Sequence, residues 1–185
     1  MVIFGGHETT KDMLANVILA LLRDEPARRQ LQADPELMDT AIEELLRFDS
    51  PAKSTVRWAQ HDTEICGQRV QQGQRILMFW SGANRDPAHF EQPDRLDLAR
   101  SPNRHLAFGK GIHYCIGAPL GRREAVVAIS MLLERFSEIR LAVPAAALEW
   151  RPTIIMRSLK SLPLRAVRVT PGDAVLDQGM ARRGR

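Results

Sequence analysis

The chain has almost no cysteine, few aromatic residues and no long apolar run, and each shortage narrows what it can be. Two cysteines in 185 residues, Cys66 and Cys115, cannot supply a disulfide framework, so a reducing, cytoplasmic location is the economical expectation. Aromatics make up 5% of the residues and do not interleave with basic ones, which argues against a stacking surface for nucleic acid. Twenty-six basic against 22 acidic side chains leave only +4, too mild an excess to indicate a polyanionic partner. No stretch nears the roughly 18 uninterrupted apolar residues of a membrane-spanning helix, and Met1-Val2-Ile3-Phe4 is too short for a signal peptide. Neither nucleic acid nor membrane is therefore expected as a partner. What the chain does have is 44% apolar residues, enough for one ordinary domain with a core.

The apolar residues fall mostly into helical spacing. Met13, Leu14, Val17, Ile18, Leu21 and Leu22 recur at three- and four-residue steps and predict a helix ending before Pro26. A short helix is expected over 26–33, followed by a third that Asp34-Pro35 caps, that puts Leu37, Ala41, Leu45 and Phe48 on one face, and that Ser50-Pro51 stops. Val56, Ile65, Val70 and Ile76 to Phe79, separated by turns at Gly67 and Gly73, read as one small sheet. Residues 84–105 are rich in Asn, Asp, Arg and Pro and show neither period, so that irregular segment needs specific polar anchors. A helix opened by Pro119 and running to about Phe136, with Leu120, Val127 and Met131 on one face, is expected to be deeply buried. Strand-like runs near 139–143 and 153–169 precede a Gly-, Asp- and Arg-rich tail over 171–185 that is expected to be disordered.

Three stretches carry chemistry. In Phe108-Gly-Lys-Gly-Ile-His-Tyr-Cys115-Ile-Gly117 a cysteine sits among glycines directly before a helical pattern. Glycines at 109, 111 and 117 let backbone pass close to a flat group, and the helix start aims free N–H groups at the sulfur, which suits a thiolate ligand such as the one that holds haem iron. A buried structural cysteine is the blander assignment, and it is the one expected for Cys66. Zinc at Cys115 and His113 lacks further ligands, a Cys–His nucleophile normally draws its histidine from elsewhere in the fold, and a dinucleotide fingerprint at Gly109-x-Gly111 fails at Tyr114. Gly5-Gly6-His7-Glu8-Thr9-Thr10 contains half of a zinc-protease motif, which fails at Lys11. As a plain helix start, the same stretch would use Thr9 as its cap. Glu44-Leu-Leu-Arg47 is an acid and a base three apart on a helix, ordinarily a surface pair worth a few tenths of a kcal/mol; Glu43 could serve Arg47 equally well.

In this order and spacing the stretches resemble the cytochrome P-450 family, over residues 5 to about 165. The resemblance implies a mainly α fold with small β-sheets, of the kind found in the C-terminal half of the cytochrome P-450 fold, with residues 1–170 part of a single domain. It implies haem b (iron protoporphyrin IX) bound through Cys115, with Phe108, Gly109 and Gly117 shaping the loop and Arg57 and His113 facing the propionates. Glu8 and Thr9 correspond to the acid and alcohol of the family's proton relay beside the oxygen groove at Gly5 and Gly6. Glu44 and Arg47 correspond to the family's buried pair, joined by an arginine of the irregular segment, assigned by position to Arg95 in Pro93-Asp-Arg95. Leu96 stands where an aromatic often follows.

The resemblance further implies a monooxygenase that places one oxygen atom on a small apolar organic substrate, using electrons from NAD(P)H through a ferredoxin- or flavodoxin-like donor. Gly5, Gly6, Lys53, Ser54, Ile155 and Met156 would border the substrate, and Arg104, Lys110, Arg122 and Arg123 would form a positive docking patch for the donor. Family members carry a further half upstream of the oxygen-activating helix. The chain is thus expected to be a fragment that binds haem weakly and turns over no substrate alone, its first and last helical stripes unburied. A peroxygenase or isomerase of the haem-thiolate class, and a haem-binding remnant without activity, are the alternatives.

Overall fold

The computed structural model describes residues 2–169, with side chains from Gly5 onward; the tail expected over 171–185 lies outside them. Helix α1 runs from Val2 to Arg23, so the glycines and threonines near its start lie inside it and Thr9 is not a cap. It stops at Asp24, whose carboxylate caps the next helix by accepting from the Ala27 N–H at 3.0 Å. Helix α2, Glu25–Ala33, gives way at Asp34, whose side chain caps a 3₁₀ turn over Pro35–Leu37. Helix α3 then covers Met38–Phe48. It is apolar on more faces than a simple stripe requires, since Ala41, Ile42, Leu45 and Leu46 are all buried.

Strand β1, Ser54–Trp58, pairs antiparallel with β4, Arg75–Phe79, from Ser54 opposite Phe79 to Trp58 opposite Arg75. Between them β2, Thr63–Ile65, and β3, Gln68–Val70, form their own hairpin, so the one small sheet expected here is two. Cys66 is exposed at that hairpin's tip, with φ +50° beside Gly67 at +79°, rather than buried as expected. A two-residue turn that needs left-handed backbone sets its place, and such turns lie at the surface. After the single turn α4, Trp80–Ala83, the chain is irregular as far as the cysteine loop. Helix α5, Ala118–Arg135, leads into β5, Phe136–Leu141, which pairs antiparallel with β6, Leu164–Arg168.

The core lies where α1, α3 and α5 meet, around Met13, Val17, Leu21, Ala41, Leu45, Ala125 and Ile129, with Leu98 of the irregular segment inserted. The stripe expected on α1 is thus largely buried within the chain. On α5 the stripe is not deeply buried but exposed, as expected of the last stripe in the chain alone. Leu120, Val127 and Met131 are exposed at 63%, 43% and 38%, and the buried face is Ala118, Gly121, Ala125 and Ile129. Small residues let α5 approach its neighbours closely, and a Cβ on Gly121 would already lie 3.8 Å from the Phe108 ring. Gly121→Val is therefore expected to cost about 1–3 kcal/mol through overpacking, and Leu120→Ala less than about 0.5 kcal/mol, both read as shifts of the urea midpoint.

Candidate functional site

The irregular segment between α4 and the cysteine loop has carbonyls with no ladder partner, and these must find donors or stay wet. Arg47 supplies them. Its guanidinium donates to the carbonyls of Asn84 at 2.7 Å, Pro93 at 2.9 Å and Arg95 at 3.3 Å. It also donates bidentately to Glu44, at 2.7 and 2.9 Å, and both side chains are wholly buried. Glu44 in turn accepts from the Asp97 N–H at 3.0 Å, from Asn103 Nδ2 at 3.1 Å and from Arg100 Nε at 3.1 Å to each oxygen. Phe90 lies under the Arg47 guanidinium at 5.2 Å.

The third member of this clamp is thus Arg100, not Arg95. The turn in which the Arg95 N–H bonds to the Gln92 carbonyl at 3.0 Å directs the Arg95 side chain outward, where it reaches Gln92 Oε1 at 3.4 Å; only its carbonyl joins the network. A second turn, from the Arg100 N–H to the Asp97 carbonyl at 2.9 Å, brings Arg100 back to Glu44. Two arginines of the same chemistry stand five apart, and which one returns is decided by those turns rather than by any spacing rule.

Glu43 takes a different partner from its neighbour. About 100° round the helix, its carboxylate accepts from Arg122 of α5 at 2.6 and 2.9 Å and lies 3.1 Å from His105 Nε2. Arg122 also donates to the Tyr114 hydroxyl at 2.9 Å and lies 4.5 Å over the Phe108 ring. Burial pushes the Glu43 carboxyl up, but hydrogen bonds from His105 and Arg122 more than reverse this and bring it down to about 2. The same partnership raises the pKa of Arg122. Arg122 is consequently not a free cation of the expected docking patch, whereas Arg104, Lys110 and Arg123 are exposed.

The cysteine loop is closed by its own backbone. The Cys115 N–H donates to the Phe108 carbonyl at 2.9 Å, Tyr114 N–H to Gly111 at 3.0 Å, and Ala118 N–H to Cys115 at 3.2 Å as α5 begins. Gly109 and Gly111 have φ +72° and +71°, which a side chain would strain. Cys115 is an exposed free thiol, and a Cβ on Gly117 would lie 3.8 Å from its sulfur. His113 ends a 3₁₀ turn over Gly111–His113 and is exposed, while Ile112 and Ile116 beside it are 98% exposed.

On α1 the Thr9 hydroxyl donates to the Gly5 carbonyl one turn back, and among the described residues nothing beyond the helix's own backbone and chain neighbours comes within 4 Å of a Cβ built on Gly5 or Gly6. Glu8 pairs with Lys11 at 2.5 Å, and that hydrogen bond holds its carboxyl below the usual carboxylate range. Arg57 of β1 donates to the Val56 carbonyl at 2.9 Å and to Thr55 Oγ1 at 3.1 Å. The two segments expected to border a substrate are brought together: Ala52 bridges Met156, Lys53 Nζ donates to the Thr153 carbonyl at 2.6 Å, and Ser54 Oγ to the Ile154 carbonyl at 3.0 Å. Ile155 is exposed beside them. Two buried residues of α1 tie down the same turn from behind, Asn16 Nδ2 donating to the Arg157 carbonyl at 2.9 Å and Asp12 accepting from Ser158 Oγ at 2.8 Å. Sequence reading missed both; polar residues inside an otherwise apolar stripe were the available signal.

Comparison with known proteins identifies this arrangement. The family model for cytochrome P450 matches residues 7–141. The polyketide biosynthesis cytochrome P450 PksS of Bacillus subtilis is 43% identical over 165 residues, 89% of this chain and 41% of its own length. The cytochrome P450 monooxygenase PikC of Streptomyces venezuelae is 41% identical over 166 residues, 89% of this chain and 40% of its own. Among solved structures, P450BioI in complex with an acyl carrier protein ligated to hexadec-9Z-enoic acid superposes with a TM-score of 0.84 at 41% identity, over 88% of this chain and 42% of that one. PksS superposes at 0.86 and 43% identity. The chain belongs to the cytochrome P450 family, with a partial P450 fold of helices and small sheets. It spans about two fifths of the length of the curated relatives it matches.

The family implies a haem, and the cysteine loop fits one: an exposed thiol stands on a loop with glycines at 109, 111 and 117. Among the described residues no helix is long and apolar enough to cross a membrane.

A carboxyl depressed from 4.5 to about 2 stabilises the fold fully above pH 4.5, and that contribution is lost as the pH falls toward 2. Because solvent reaches 30% of the Glu43 side chain, about 1–2 kcal/mol is expected. Urea denaturation between pH 5 and 2 should show this loss in the wild type and not in Glu43→Gln.

Proposed function

We propose that the chain carries the thiolate-bearing part of a monooxygenase that inserts one oxygen atom of dioxygen into a small apolar organic substrate. Haem b is held by Cys115, and electrons come from NAD(P)H through a ferredoxin- or flavodoxin-like donor. The observation that carries this reading is an exposed, unpaired cysteine thiol fixed by its own backbone between glycines, in a chain whose relatives include a named monooxygenase. When bound, the haem supplies the iron at which dioxygen is reduced and split, and a thiolate ligand favours O–O cleavage.

The chain's own residues provide the rest. Cys115 Sγ would hold the haem iron, and Gly109 and Gly117 keep side chains off its flanks while Phe108 anchors the loop. Arg57 and His113 would donate hydrogen bonds to the propionates, whose burial without partners would be costly. Gly5 and Gly6 leave the wall of α1 bare. Thr9 Oγ, whose proton is committed to the Gly5 carbonyl, keeps its lone pairs free to accept from a water in that bare groove. Glu8, held ionised by Lys11, is the group that returns protons once it leaves that pair. Lys53 and Ser54 are committed to backbone carbonyls, so Ile155 and Met156 present the substrate with an apolar border. Arg104, Lys110 and Arg123 form the cationic face toward an acidic donor.

One observation favours a second reading for the 185 residues on their own, a haem-binding remnant without turnover. The relatives are more than twice the matched length, so much of the surface that would enclose the cofactor is not contributed by these residues. The ferrous carbon monoxide spectrum separates the readings. A red-shifted Soret band in the wild type that disappears in Cys115→Ala, with sub-stoichiometric haem and no coupled NAD(P)H oxidation, is the expected result. A band unchanged by the substitution would refute Cys115 as ligand, and full haem occupancy with coupled turnover would refute the remnant.

A further inference from the structure

The proximal side of the cysteine loop contains a polar cluster that the reaction above does not use. Glu43, Arg122, His105 and Tyr114 form one connected network, and Arg122 caps the ring of Phe108, whose carbonyl holds the Cys115 N–H at 2.9 Å. Three elements converge on one carboxylate: α3 supplies it, α5 supplies Arg122, and the end of the irregular segment supplies His105, which is 2% exposed. Glu44, the adjacent residue, holds residues 97–103 instead.

We propose that Glu43 is a positioning residue for Cys115, acting through Arg122 and His105 as a second clamp on the cysteine loop that is separate from the clamp made by Glu44. The Arg122 guanidinium is fixed at three points, to the carboxylate, to the Tyr114 hydroxyl one residue before the cysteine, and over the Phe108 ring seven residues before it. Two points of the loop on the N-terminal side of the cysteine are thereby tied to α3, through an arginine carried by the helix that follows the cysteine. Removing the carboxylate's charge loosens Arg122 and His105 together, leaving the segment its own backbone bonds, the Leu106 N–H on Asn84 Oδ1 at 2.7 Å and the Ala107 N–H on His105 Nδ1 at 3.1 Å.

Hydrogen exchange on the 185-residue chain tests this without any cofactor. Glu43→Gln is expected to speed amide exchange in residues 105–117 about tenfold while leaving residues 84–103 within about twofold. Glu44→Gln is expected to act first on 84–103, and Arg122→Gln to reproduce the Glu43→Gln pattern from the other side of the pair. Equal acceleration of both segments in Glu43→Gln, no acceleration at 105–117, or a wild type without protection there would overturn the proposal. A spectroscopic arm rests on the haem-thiolate reading: with haem loaded, Glu43→Gln should keep the cofactor but lower the fraction of the red-shifted ferrous carbon monoxide band. An unchanged fraction overturns the positioning role. If the wild type shows no such band, the haem-thiolate reading fails, and the exchange result alone decides the role of Glu43.

Discussion

The largest fully buried side chain among the described residues is an arginine, and the structure around the cysteine loop depends on where its charge is answered. Arg47 and Glu44 face each other with no access to water. Desolvating such a pair consumes most of what its attraction returns, so its contribution is less to total stability than to a single arrangement. The geometry shows what that arrangement serves. An irregular segment without strands pairs only some of its own carbonyls in turns, and Arg47 gathers three of the others while Glu44 collects three donors from farther along. Remove Glu44 and Arg47 becomes a lone buried charge; remove Arg47 and Glu44 keeps Arg100 but three carbonyls of the segment lose their donor.

Helix α3 is therefore a hub whose two consecutive carboxylates divide the work. Glu44 looks toward the irregular segment and Glu43 toward α5 and the cysteine loop. The hub also explains why α5 turns small residues inward. Gly121 lets the Phe108 ring approach α5, and Arg122, next along the helix, covers that ring while holding Glu43. The distal side follows a similar logic: α1 carries both the bare wall at Gly5 and Gly6 and, on its buried face, the Asp12 and Asn16 side chains that fix the turn holding Ile155.

Much of this was legible in the residues, and what was not had physical reasons. Helix positions followed from apolar spacing and from the cap at Asp34, which starts a 3₁₀ turn ahead of α3, while the cap at Asp24 was not read. The cysteine loop was legible because glycines at 109 and 111 are required by backbone geometry rather than by packing. Arg95 was mistaken for Arg100 because a turn, not a spacing, decides which side chain points inward. On α5 the stripe of Leu120 and Met131 stands exposed, as expected of the chain alone, while close packing within the chain uses Ala118, Gly121 and Ala125, small residues that apolar spacing does not single out. Cys66 was misplaced because a hairpin tip demands a left-handed residue whatever its polarity. Arg122 was read as a free surface cation because its partner, Glu43, lies 79 residues away in the chain.

The claim that a buried carboxylate, and not merely local turn chemistry, orders the segment leading to Cys115 is tested most directly by two double-mutant cycles measured by urea denaturation. The cycle pairing Glu44→Gln with Arg100→Met should return a coupling energy of about 2–3 kcal/mol, and the cycle pairing Glu44→Gln with Arg95→Met less than about 0.5 kcal/mol. Strong coupling to Arg95 with none to Arg100, or no coupling in either cycle, would contradict the account.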